Sequence, residues 1–408
     1  MTTTLTENSV AFDAAAARYR PVFARIAAGA LRRELSRELP FEPISWLKEA
    51  GFGAARIPAE FGGDGLNWVE FTELLIELAA ADSNIPQALR GHIALVEDQL
   101  YHHGRGADRS TWLRRFATGE LAGNAWTEPG AGGTATILAE SAGKLVLNGL
   151  KFYTTGTIFA DWIDVTAKRP DGSVVSVIVS TRSGGVETQD DWDGFGQRLT
   201  GSGTTGFKDA EVDPAHVFAF GDRFPYQTAL YQHVLLVSLA GIARAAAEDV
   251  SRAVRERKRV FGNGNAPLVR NDAQILQVVG EISAKAYAAG ATTVQVARSL
   301  DRAYVARNAD SGSEKAANID AELEAARAQI VLSTLVPEAA GAIFNTLGAS
   351  STRAGAALDR HWRNARTVAT HNPFIYKARI VGDWEVNAAE PPFVWGIGVA
   401  SADGGTAG

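Results

Sequence analysis

Apolar positions recur with a helical period early in this 408-residue chain, with a strand period in its middle, and with a helical period again to the end. In "VEFTELLIELAAAD", Phe71, Leu74, Leu75 and Leu78 stand at i, i+3, i+4 and i+7, which lines them along one helix face. "PISWLKEAGF" and "PQALRGHIALVEDQLYHHG" repeat the style, and each runs into a glycine, a common helix stop. The Gly-rich "IPAEFGGDGLN" between them reads as a loop. Near Ala122 the pattern changes. "TILAESAGKLVLNGLKFYTTG" holds short β-prone runs broken at Ala-Gly and Asn-Gly, both hairpin signals. "SVVSVIVS" suits a buried strand, and "GSGTTGFKDAEV" adds a turn and another strand. Long helical runs then return as "QTALYQHVLLVSLAGIARAAAEDVSRAVRERKR", "RNDAQILQVVGEISAKAYAAGATTVQVARSLDRAYVARN" and "EKAANIDAELEAARAQIVLSTLVPEAAGAIFNTLGA". The polar "NADSGS" separates the last two, and "RHWRNARTVATHNP" supplies a fourth helix ended by Pro373.

The expected architecture is α+β in three parts. An N-terminal helical domain spans 1–121, a central antiparallel β domain 122–220, and a C-terminal four-helix bundle 221–400. Residues 401–408 read as a disordered tail. Composition adjusts this only slightly. The apolar share of 46% and charged share of 21% are those of a soluble globular protein. A net charge of −6 gives no reason to expect nucleic-acid binding, and no apolar run approaches a membrane span. The N-terminus lacks a signal-peptide layout, so a cytoplasmic location is expected. Without cysteine there is no disulfide, thiol catalysis or cysteine metal site. No His-x-x-x-His or Glu-x-x-His pair offers a metal site either.

Four ordered motifs then carry a resemblance. "GNAWTEPGAGGTA" (123–135), "LNGLKFYTTG" (147–156), "RERKRVFGNG" (255–264) and "LGASSTRAGAALDRHWRNAR" resemble, in that order, segments of the acyl-CoA dehydrogenase superfamily. The resemblance covers nearly the whole chain and implies a flavin held between the β domain and the bundle. Such a ring needs hydrogen-bond partners at its polar edge and an apolar wall. Thr127, Thr154 and Thr155 offer hydroxyls, while Trp126 and Trp192 offer flat area. For the phosphate, the resemblance points to Arg257 or Arg259 with Phe261, to the Gly348 turn, and to Arg363, with Arg366 a further candidate.

One departure bears on the chemistry. Many family dehydrogenases carry a carboxylate base shortly after the Arg-Asp of the C-terminal helix. Counting from Arg363-Asn364 reaches Thr370-His371-Asn372-Pro373 instead, and no carboxylate stands between Asp359 and Asp383. Glu248 and Asp249, acids on an earlier helix, lie in no recognisable motif. The closer similarity is to the flavin-dependent monooxygenase branch, the dibenzothiophene and sulfur-acquisition monooxygenases. "LAAADSNIPQALRGH", "GNAWTE", "DDWDGFGQRLTGSGTTGF" and "DRHWRNARTVATHNPFIYKARIVGDWEVN" carry it.

That branch implies reduced FMN, in preference to FAD, supplied by a separate NAD(P)H-dependent reductase. The flavin reacts with O₂ to a C4a-hydroperoxide that oxygenates an organosulfur or other apolar heteroatom compound. The resemblance assigns catalysis to His92, His371, Thr155 and Asn124, with Thr155 where relatives carry Ser. A histidine of near-neutral pKa can give and retake a proton, which an ionised Glu cannot. Trp192, Phe195, Phe159 and Phe374 are the expected substrate wall. The remaining histidines, at 102, 103, 216, 233 and 361, read as structural. The resemblance also implies a homotetramer. The alternatives are an acyl-CoA dehydrogenase or oxidase with an unrecognised base, and an N- or aromatic hydroxylase of the same fold.

Overall fold

The structure, a computed structural model, describes residues 9–129 and 135–394. The glycine-rich end of the "TEPGAGG" motif and the 401–408 tail lie outside the described residues. The chain opens with α1 (Val10–Ser36), α2 (Phe41–Glu49), α3 (Trp68–Ala81), α4 (Asn84–Ala88), α5 (Arg90–Gly104) and α6 (Ser110–Ala117). The predicted face of α3 is buried, and the helix starts at an Asn67–Glu70 capping box. "PQALRGHIALVEDQLYHHG" is two helices, broken at Leu89, so that Arg90 opens α5.

The strands are β1 (Ala122–Ala125), β2 (Ile137–Ser141), β3 (Lys144–Phe152), β4 (Trp162–Lys168), β5 (Val174–Ser180), β6 (Val186–Thr188), β7 (Thr204–Val212) and β8 (Val217–Ala219). They form one sheet in the order β6-β7-β3-β2-β4-β5-β8, with β1 added on β4. The sheet is mixed: β1 and β2 run parallel to β4, and the other pairs are antiparallel. The expected antiparallel domain holds for most pairs, and the two parallel contacts are both made on β4, where β1 enters from the helical layer and not from a hairpin. Ala142-Gly143 is the expected tight turn, with both residues at positive φ. Asn148-Gly149 makes no hairpin. It is a register shift inside β3, where Asn148 pairs with Asp209 of β7 by two side-chain bonds. In β5, Val175, Val177 and Val179 face the sheet core while Ile178 packs into the helical layer, which explains the almost unbroken apolar run.

The last part contains α7 (Gln227–Glu256), α8 (Ala273–Ala306), α9 (Ser311–Ala342), α10 (Phe344–Leu347), α11 (Asp359–Thr370) and α12 (Phe374–Asn387). Helices α7, α8, α9 and α11 pack together, and α12 lies against α9. Pro373, read as a helix stop, is also the residue from which α12 starts; proline suits a helix start because its missing N–H would be unpaired there anyway. The stretch from α9 to Leu347 is long and apolar enough to cross a membrane, but half of it is buried against its neighbours as a core helix. One core runs through α1, α3 and α5 into α7, α8 and α9, so the N-terminal helices and the bundle are joined. The sheet has a core of its own.

Candidate functional site

Segments far apart in sequence meet where β1 and the β3–β4 connection press on α4 and α5. The approach is close enough to require glycine. At Gly156 (φ +77°) a Cβ would sit 1.8 Å from the Ala88 carbonyl oxygen. At Gly91 it would sit 2.9 Å from the Asn124 backbone nitrogen. The loop 189–203 closes over α4 and α11. Gln197 N–H donates to Asn364 Oδ1 (2.6 Å), Leu199 N–H to Asn84 Oδ1 (3.2 Å), and Gln197 Nε2 to Ser83 Oγ (3.1 Å).

His371 caps α11, and its Nε2 lies 3.0 Å from Arg90 Nη2. A guanidinium only donates, so Nε2 is the acceptor, the imidazole is neutral, and its proton sits on Nδ1 beside Asn372 Oδ1 (3.4 Å). Surrounding protein and then the Arg90 cation hold the His371 pKa below its usual value. His371 is solvent-exposed, so the cation is the firmer of the two causes. The seat is fixed from behind. Asn372 Nδ2 donates to Gln232 Oε1 (3.0 Å), and Gln329 Nε2 donates to the Asn372 carbonyl (2.7 Å).

Arg90 is the residue that sequence reading missed. It is 93% buried (7% exposed), and among the described residues no carboxylate pairs with it. Burial lowers its pKa to about 10. Its guanidinium lies 5.2 Å from the Tyr231 ring, and Tyr231 packs edge-on against Trp126 at 5.0 Å. The indole donates to Asp164 Oδ2 (3.2 Å), which Arg223 also holds (2.9 Å). A signal was present: in "PQALRGHIALV" no acid stands three or four positions from Arg90.

Three buried polar atoms of this cluster have no hydrogen-bond partner: Arg90 Nε, Tyr231 Oη and Asn124 Oδ1. Asn124 packs on Gly91, next to Arg90, and precedes Trp126 by two residues. Buried polar groups in native proteins are nearly always satisfied, so bare donors and acceptors grouped beside an indole and a phenol make this cluster a candidate ligand site. Their chemistry fits a flavin, with its polar ring edge and flat apolar faces.

The other expected residues divide. Thr155 Oγ1 bonds Ser202 Oγ (2.8 Å), which bonds Thr200 Oγ1 (2.7 Å), a hydroxyl chain on the β side. Thr154 Oγ1 bonds the Gly203 carbonyl and Thr205, and Thr127 Oγ1 bonds the Phe152 carbonyl, so both act within the β domain. Trp192 Nε1 donates to its own loop at the Gln197 carbonyl (3.0 Å). Phe195 is exposed and stacks on Trp362 at 6.1 Å. Phe374 is half-buried at the start of α12. Phe159 packs edge-on against Phe41 (4.9 Å) in the helical core. Arg363 pairs with Glu34 and Asp359 and donates to the Phe195 carbonyl, so its charge is met within the chain.

Arg257, Arg259, Phe261 and Gly348 form a second group. Arg257 donates to the Leu347 and Arg259 carbonyls, and its guanidinium lies over Phe261, whose ring rests on Gly348. Arg257 follows Tyr231 by 26 residues along α7, roughly 40 Å at 1.5 Å per residue. One chain therefore does not bring this group to His371.

His92 differs from expectation in its surroundings. It is 1% exposed, Nε2–H donates to the Gly53 carbonyl (2.9 Å), and Nδ1 accepts the Ala122 N–H (3.3 Å). With both nitrogens on backbone it ties α5 to β1, and burial lowers its pKa to about 4. The candidate dehydrogenase bases are engaged as well. Asp249 is held by Arg360, Arg252 and His361, well below the usual carboxylate range, and Glu248 pairs with Arg244 at the surface.

Residues 11–120 match the family "Acyl-CoA dehydrogenase, N-terminal domain", and residues 235–375 match "Acyl-CoA dehydrogenase, C-terminal domain". The chain belongs to the acyl-CoA dehydrogenase superfamily. Within it, the chain is 26% identical over 356 residues to the probable FMNH2-dependent monooxygenase SfnC of Pseudomonas putida, covering 85% of this chain and 88% of that one. It is 25% identical over 364 residues to the dibenzothiophene monooxygenase of Mycolicibacterium goodii, covering 85% and 87%. Its fold matches TdsC from Paenibacillus sp. A11-2, solved with FMN and indole, with a TM-score of 0.83 at 24% identity over 93% of this chain and 98% of that one.

Proposed function

We propose that this protein is a two-component, reduced-flavin-dependent monooxygenase that uses FMN and O₂ to oxygenate an organosulfur or other heteroatom compound. The observation that carries the reading is the seat of His371. Where family dehydrogenases place a carboxylate, this chain places a neutral imidazole bonded to a buried arginine. With Nε2 engaged by Arg90 and its pKa held down, this imidazole is a poor substitute for the carboxylate base that opens a thioester dehydrogenation. The relatives at 25–26% identity across 85% of the chain, named as monooxygenases, support the same reading.

Bound FMN would supply oxygen activation, and the residues present would hold it. Trp126 and Tyr231 offer flat walls, Asn124 Oδ1 and Tyr231 Oη offer polar contacts, and the Thr155–Ser202–Thr200 chain lies on the β side. His371 keeps a proton on Nδ1 while Arg90 holds its Nε2, so it would offer that proton at a fixed place. The loop 189–203 is pinned to α11 and α4 through Asn364 and Asn84. A separate NAD(P)H-dependent reductase would deliver the reduced flavin. The Arg257 group would take the phosphate of a neighbouring copy's flavin in a homotetramer, consistent with its distance from His371.

The test couples the purified chain to a generic flavin reductase with NADH, isotopically labelled O₂ and candidate sulfides. Label in an oxygenated product is expected. Unlabelled products, together with anaerobic bleaching of bound FAD by an acyl-CoA, would overturn the proposal.

A further inference from the structure

Helix α12 begins just after His371, and it is not attached as a bundle helix ordinarily is. From Phe374 to Asn387 its one buried side chain is Lys377, at 4% exposure. A helix lying on a bundle normally buries an apolar stripe, whereas Ile375, Tyr376 and Val386 of α12 are exposed. The Lys377 ammonium instead enters the bundle and meets the charge of Glu322 on α9, itself 2% exposed. Glu322 also reaches α7. Its Oε1 accepts the Ala229 N–H (2.8 Å) in the first turn, one of the N–H groups that a helix start leaves unpaired.

A second set of bonds joins the same helices. Gln232 follows Ala229 on one face of α7, and Gln329 follows Glu322 on one face of α9. Asn372, next to His371, donates from Nδ2 to Gln232 Oε1 and accepts from Gln329 Nε2 at its carbonyl. Two parallel crosslinks therefore tie α7 and α9 to the α11–α12 junction, a charged one through Lys377 and a neutral one through Asn372. Beyond the far end of α12, Thr228 Oγ1 of α7 donates to the Phe393 carbonyl (2.7 Å). We propose that Glu322 and Lys377 are positioning residues: the buried pair sets where α12 begins and, through Asn372, where His371 stands. Replacing a buried pair by apolar groups of like size is often neutral or stabilising, so stability alone does not call for it. The pair provides a single alignment. An apolar contact tolerates a slide along the helix, while an ammonium reaching a carboxylate already fixed on Ala229 does not. The inference rests on the monooxygenase reading only for its effect on turnover.

Lys377→Met alone would strand the Glu322 carboxylate in the bundle and could fail to fold. The informative variant is Glu322→Gln with Lys377→Met, which removes both charges, nearly keeps the volume and leaves an amide oxygen for the Ala229 N–H. Its urea midpoint is expected to equal or exceed that of wild type. Amide hydrogen exchange of the full-length protein, read by mass spectrometry, should be about tenfold faster over residues 371–377 and unchanged in α8. In the labelled-oxygen assay kcat should fall about tenfold, with KM and FMN affinity within about twofold of wild type. Lys377→Arg, which keeps the charge but not the shape, should fall between the two. Wild-type exchange over 371–377 in the double variant would overturn the inference, whatever the protein oxygenates. Faster exchange with undiminished kcat would also overturn it, because the pair would then hold α12 without setting His371. A wild type that yields no labelled product, with exchange as expected, would defeat the monooxygenase reading while sustaining the anchoring of α12.

Discussion

At the scale of single residues, the two histidines expected to act together have different surroundings. His371 is reached from a site with bare polar atoms, whereas His92 has both nitrogens bonded to backbone. His371→Gln should lower product formation by about a hundredfold, the usual contribution of a positioned acid–base group, with FMN affinity nearly unchanged. Steady-state assay and flavin titration read the two separately. His92→Ala should instead destabilise the fold by ~2–4 kcal/mol, because it opens a cavity and leaves the Gly53 carbonyl and Ala122 N–H unpaired. Urea unfolding would show it, and a variant as stable as wild type but inactive would restore His92 to the mechanism.

Buried histidines also set a pH dependence. Burial lowers His92 to about 4 and His233 to about 3, from 6.5 for an exposed imidazole. Between those values the unfolded chain binds more protons than the fold. Their contribution to stability is thus whole above pH 6.5 and lost as pH falls, by at most ~1.4 kcal/mol per unit for each histidine. The urea midpoint should be lower at pH 5 than at pH 7; an equal or higher midpoint would contradict the assignment.

At the scale of elements, the site depends on how near a β connection can come to a helix. Gly156 permits the contact with Ala88 that seats Thr155 and its hydroxyl chain. Gly156→Ala should cost roughly 2 kcal/mol or more, from overpacking and the positive φ, and should loosen flavin binding as well. Unfolding and flavin titration both check this, and a neutral effect on both would mean the connection can move. Periodicity made the long helices legible, because a whole buried face repeats along each. It could not locate the break at Leu89 or the restart after Pro373, since a few residues at a helix end carry little periodic signal. Asn-Gly misled for a related reason: the same dipeptide serves a hairpin or a bulge, and the partner strand β7 decides which.

At the scale of the whole molecule, the Arg257 group and the His371 site are at opposite ends of α7, so in the proposed flavin site the phosphate contact would come from a second copy. Light scattering after size exclusion should report a mass four times that of one chain. Arg257→Gln with Arg259→Gln should weaken FMN binding at least tenfold while sparing the His371 cluster. A monomer with full FMN affinity would refute the arrangement.

The order of helical and strand regions, the family motifs and the histidine in place of a carboxylate were readable from the sequence alone, because each is a local pattern or a short count along the chain. Whether a polar side chain is spent or available was not. His92 is satisfied by residues 39 and 30 positions away, while Arg90 and His371 meet across 281. Only packing brings such groups together, and only then does it show that Arg90 lacks the acid its buried neighbours have. Burying a charge without an acid beside it carries a free-energy cost that local sequence does not reveal, which is why the tertiary structure decided where this site is charged.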